Sequence, residues 1–158
     1  MLNARAGAMR NFFTALFIIL AIGMPGCAAP PPRAPSPSPS PVPATVEIVF
    51  EVSGGVGGQY AKWTIYGDGQ ISRQGRFDSE QYVTAPEDVR RLLDNLYAVG
   101  FLDLQTAYAD VMCADCFNYV IAVRDGQRSH RVYAVDAGQL PAEMRNVIQI
   151  LRTFVNAF

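Results

Sequence analysis

Between Ala28 and Ala44 eight of 17 residues are proline, and seven of the other nine are Ala or Ser. Such a stretch lacks the amides for a hydrogen-bonded ladder and the apolar side chains for a core. It stays extended, near polyproline II. At about 3.1 Å per residue it spans roughly 50 Å. The chain is therefore read in three parts: residues 1–26, a linker over 27–44, and a domain over 45–158. The 114 residues of the last part suffice for one domain with its own core.

The first part reads as a signal peptide. Arg5 and Arg10 supply a positive start, and Phe12 to Met24 is an apolar run broken only by Thr14 and Gly23. At about 13 residues the run suits an exported leader and falls short of the roughly 20 that a membrane span needs. It ends in Met24-Pro25-Gly26-Cys27, and a small residue before a Cys at this place resembles the bacterial lipobox. Acylation of Cys27 is the expectation, with the mature protein extracytoplasmic and lipid-anchored to the cell membrane or outer membrane. Ordinary secretion with Cys27 left as a free thiol is the alternative. Without Arg5 and Arg10 the 13 basic residues become 11 against 14 acidic ones, a net charge of −3. No basic block is present, so nucleic acid is not an expected partner.

The domain alternates in strand fashion. Val46, Ile48, Phe50 and Val52 point one way, with Glu47 and Glu51 opposite. Tyr60 to Tyr66 and Gln70 to Gln74 follow as a hairpin across Gly67-Asp68-Gly69. The weakly patterned 75–83 stretch reads as loop. Thr84 is expected to cap a helix with Glu87 three residues on, and Val89, Leu92, Leu93, Leu96 and Tyr97 form its apolar stripe. Gly100 is the expected left-handed terminator. Phe117 to Val123 and Gln127 to Val135 form a second hairpin across Asp125-Gly126, and Pro141 opens a last helix whose stripe runs from Met144 to Phe158. The expected fold is a two-layer α+β sandwich. It has an antiparallel sheet of about five strands, in the order βββαββα, with two helices on one face.

The chemistry-bearing residues are few. Cys113 and Cys116 form a CxxC motif, but a strand rather than a helix follows it, which does not suit a redox thiol pair. Two thiols, the single His130 and scattered carboxylates are too few to specify a metal site. Asp103, Asp110 and Asp115 lack calcium-loop spacing. A disulfide between Cys113 and Cys116 is the expectation. His130 reads as a strand histidine. Trp63, Tyr60 and Tyr66 fit either sheet packing or an aromatic patch. No cofactor and no catalytic group is expected, and the protein is not read as an enzyme.

The glycines are the densest anomaly. Ser53, Gly54, Gly55, Val56, Gly57 and Gly58 join one strand to another, whereas phosphate loops run from a strand into a helix. Two readings stay open: a bulged connection that needs positive φ, or a projecting loop whose bare backbone enters a partner.

Three segments in succession carry a resemblance: VSGGVGG over 52–58, APEDVRRLLDNLYAVGFLDL over 85–104, and CFNYVIAVRDGQRSHRVYAVD with LPAEMRNVIQIL over 116–151. Together they resemble the emfourin family, bacterial inhibitors of thermolysin-like metallopeptidases. Ser53, Gly54, Gly55 and Gly58 match its first motif, and Phe101 and Leu104 its second. Tyr119, Val123, Asp125, Gly126, His130 and Val132 match its third. Val56 stands where the family prefers Phe. The resemblance implies that the 53–59 loop, with the 105–116 loop, occupies a metallopeptidase cleft. The alternative is an envelope lipoprotein acting as an interaction or structural module without inhibitory activity.

Overall fold

The computed structural model of the protein describes residues 45–109, 113–126, 128–137 and 139–158. The expected leader, the lipidation site Cys27 and the linker lie outside the described residues. Four strands come first: β1 Glu47–Gly54, β2 Gln59–Tyr66, β3 Gln70–Gly75 and β4 Ser79–Val83. Helix α1, Pro86–Ala98, leads through a 3-10 turn at Phe101–Asp103 to the short β5, Ala107–Tyr108. Strands β6, Phe117–Asp125, and β7, Arg128–Val135, precede helix α2, Ala142–Val155. The strands form one sheet in the order β4-β3-β2-β1-β6-β7-β5.

The α+β class stands, with both helices on one face of the sheet. Ile48 and Phe50 of β1, Ile121 and Val123 of β6, and Val132 of β7 share a single buried cluster with Val89, Leu92 and Leu96 of α1 and Met144, Val147 and Leu151 of α2. Burying one such Leu or Ile contributes about 2 kcal/mol. On β1, the Glu47 and Glu51 positions point to the other face, as the alternation requires.

Among the described residues the strand count needs correction from five to seven and the order from βββαββα to ββββαβββα, and the sheet is mixed rather than purely antiparallel. Strand β4 occupies part of the stretch read as loop. It is an edge strand on which only Tyr82 is part-buried, so no alternation marks it. It is fixed by a tight turn, with the Gly75 amide donating to the Asp78 carbonyl at 2.9 Å. Arg73 then pairs across the ladder with Asp78 at 3.2 Å and Glu80 at 2.9 Å. Strand β5 is two residues long and parallel to β7, too short to leave a pattern.

The cap of α1 also differs. Ala85, not Thr84, is the N-cap, and it makes no side-chain cap bond. The Thr84 amide donates to the Gly69 carbonyl at 2.9 Å, which commits its backbone to the β2–β3 turn and starts the helix one residue later. The Thr84 hydroxyl donates instead to Asp88 at 2.9 Å. Gly100 adopts φ +80°, the left-handed conformation expected of it. Phe158 lies beyond α2, its ring 5.6 Å from that of Tyr82.

The bonds at its two ends fix the direction of α1. Thr84 joins the β2–β3 turn, while the Tyr97 hydroxyl donates to Asp125 in the β6–β7 turn at 3.2 Å. Helix α1 thus crosses the strands at the end of the sheet where Thr45 enters. Helix α2 begins after β7 at the other end, and its Arg152 donates to the Tyr119 hydroxyl of β6 at 2.6 Å.

Candidate functional site

The glycine segment and the disulfide segment meet. In the β1–β6 ladder Gly54 stands opposite Phe117, the residue after Cys116. The Gly55 amide donates to the Cys116 carbonyl at 3.2 Å. Gly54 has φ +108°, and a Cβ there would overlap that same carbonyl oxygen. Gly55 has φ +70°, and its Cβ would fall 2.9 Å from the Phe117 ring. Gly54 is therefore required twice over, by conformation and by contact with backbone, and Gly55 chiefly by conformation. The turn closes with the Gly58 amide donating to the Gly55 carbonyl at 2.9 Å, and Gly58 has φ +58°. Gly57 differs: its φ is not positive and open space surrounds it. Ser53 lies one residue before the end of the ladder, opposite Tyr60 and Asn118, and Val56 projects at 91 % exposure.

Cys113 and Cys116 stand with their Cα atoms 5.5 Å apart and their sulfurs at disulfide distance. Asp136 clamps the strand that follows. Its carboxylate accepts the Phe117 amide at 2.9 Å, and its own amide donates to the Phe117 carbonyl at 3.0 Å. The Gly54–Gly55 backbone thus rests on a support fixed from two sides.

A third turn belongs to the same end. Ala61 pairs with Gly75, so the β3–β4 turn at 76–78 lies beside the β1–β2 turn. Arg76 donates to the Gly58 carbonyl at 3.3 Å and joins the two. Phe77, in this turn, is 93 % exposed. Phe77 was absent from the sequence reading because it sits in an unpatterned stretch, and a Phe there carries no sign of which way it faces. Asp136 was absent for a related reason, since a carboxylate bonded to a backbone amide 19 residues away has no local signature.

The remaining candidates separate. Trp63, Tyr60 and Tyr66 do not form one patch. Trp63 lies on the helix side, its ring 5.7 Å from Phe50, while Tyr60 and Tyr66 occupy the opposite face by alternation. Phe50, Trp63, Phe117 and Arg152 border a cavity of about 540 Å³ between β1, β2 and the end of α2. Burial pushes the Tyr119 hydroxyl above its ordinary pKa, and Arg152 opposes that shift. His130 is half-buried, with its ring edge-on to Phe101 at 5.3 Å. Its Nε2 has no hydrogen-bond partner among the described residues. No three His, Cys, Asp or Glu side chains gather as metal ligands among the described residues. Asp110 lies outside them.

Of the residues that carry the emfourin resemblance, Phe101, Tyr119, Val123 and Val132 are core residues, each at most 2 % exposed. Gly58 of the first motif and Gly126 of the third are exposed. No protein-family model matches the chain, and no curated protein matches it.

Proposed function

We propose that this is a lipid-anchored extracytoplasmic binding protein, not an enzyme, whose working end is the 53–58 turn. The partner implied by the emfourin resemblance is a thermolysin-like metallopeptidase, with its cleft occluded by the turn. One observation carries this reading. The glycine turn is a bare, locked backbone at the end of the sheet opposite Thr45, where the linker enters. Strand β1 runs from the tethered end to the turn over eight residues, about 25 Å.

Occlusion without cleavage asks for a backbone that keeps its shape inside the cleft. Bonds from Gly55 to Cys116 and from Gly58 to Gly55, with the disulfide turn beneath, supply that stiffness. The test is titration of the detergent-purified full chain against a thermolysin-like peptidase after slow pre-incubation. Stoichiometric loss of peptidase activity with the chain left uncut is the expected result. An unaffected peptidase would sink the inhibitory reading.

A further inference from the structure

We propose that Phe77, together with Val56, is the apolar anchor by which this end of the sheet enters its partner, and that Arg76 aims it. The inference rests on the binding reading above and assigns it residues outside the glycine turn. Phe77 and Val56 are the two most exposed large apolar side chains among the described residues, at 93 % and 91 %, ahead of Val83 at 77 %. They sit at the tips of two neighbouring turns. A single exposed apolar residue is ordinary, but a pair at one projecting end marks an interaction site.

The two turns are fastened together. Arg76 donates to the Gly58 carbonyl at 3.3 Å, and its guanidinium carbon lies 5.5 Å from the centre of the Phe77 ring. One side chain thus bonds the Val56 turn and flanks the Phe77 ring. Asp78, two residues on, is committed to Arg73 at 3.2 Å, whereas Arg76 forms no ion pair among the described residues. The tip therefore offers a phenyl ring and a smaller branched side chain beside an uncompensated positive charge. The matching surface is a protein cleft with an apolar pocket wide enough for a phenyl ring and a carboxylate at its mouth. Buried aromatic anchors dominate interfaces of this kind, and a flanking charge acts mainly on association rate.

The experiment compares the full chain with its Phe77→Ala, Val56→Ala and Arg76→Met variants as inhibitors of a thermolysin-like peptidase. Thermal midpoints of the free proteins serve as the folding control. Phe77→Ala is expected to raise the inhibition constant about 30-fold or more, with a smaller rise for Val56→Ala. Arg76→Met is expected to slow association and flatten its dependence on salt. If the wild type inhibits and Phe77→Ala inhibits equally within about threefold, the anchor is overturned while the glycine-turn reading stands. If the wild type neither inhibits nor binds, both fall together.

Discussion

The two ends of the sheet use similar turns and face their surroundings differently. At the end where Thr45 enters, the turns face inward. The Gly67 amide donates to the Val46 carbonyl, the Gly69 carbonyl accepts from the Thr84 amide, and Asp125 accepts from Tyr97 and Arg128. The Arg128 guanidinium lies over the Tyr97 ring at 4.8 Å. At the far end the backbone is locked just as firmly, through Cys116 and Asp136, yet Val56 and Phe77 point outward. Rigid backbone with outward apolar side chains stabilises nothing within the molecule. The difference separates turns that complete the fold from turns that present a surface.

The comparison can be broken most sharply at Gly54. Gly54→Ala puts a Cβ onto the Cys116 carbonyl at a φ that side chains avoid. A loss of about 3 kcal/mol is expected, visible as a drop of roughly 10 °C or more in the thermal midpoint. A midpoint within about 2 °C of wild type would mean that the far end is not locked. Reducing the disulfide, or Cys116→Ser, comes next, at about 2 kcal/mol or less because the closed loop is so short. Faster amide exchange at Gly55 should accompany it.

At the Thr45 end, Tyr97→Phe removes the bond to Asp125 and should cost about 1 kcal/mol in denaturant unfolding, with the proposed inhibition unchanged. Arg91 and the Thr84 hydroxyl hold Asp88 below its ordinary pKa. A carboxylate depressed in the folded state stabilises it above the unfolded pKa of about 3.9, and that contribution fades as pH falls through the lower folded value. Asp88→Asn should therefore lower stability slightly at neutral pH, with the difference from wild type vanishing as pH falls through the folded value, so that unfolding depends less on acid. The smallest expected effect on stability is that of Phe77→Ala, within about 0.5 kcal/mol, since the ring packs on no core residue. A larger loss would place Phe77 among the residues that build the fold.

The core strands and both helices were legible because each has one dry face. Ile48 and Phe50 alternate with charge, and Leu92 and Leu96 recur at helical spacing. Strand β4 was not legible, since its ladder bonds come from β3 and its side chains stay in water. The α1 cap was misplaced because a cap is decided by where the backbone amide is already committed, and the Thr84 amide is bonded to a turn 15 residues earlier. At the candidate site, the glycines signalled an unusual backbone path. The positions of Phe77 and Arg76 beside that path did not show, because they depend on an adjacent ladder. The residues that carry the emfourin resemblance divide in the same way: five of the twelve, Phe101, Leu104, Tyr119, Val123 and Val132, repeat the pattern of a core, which many activities can share.

The sequence by itself determined the α+β class, the residues that form the core, the left-handed stop at Gly100 and the proximity of the two cysteines. Those follow from periodicity, from the conformational range of glycine and from short chain separation. Only the tertiary structure decided that the glycine turn rests on the Cys116 carbonyl, that Asp136 holds the strand beneath it, and that Arg76 ties the turn of Phe77 to the glycine turn. Each of these joins residues 18 or more apart along the chain. Such contacts arise from strand register, which the packing of the whole sheet sets and no local pattern encodes.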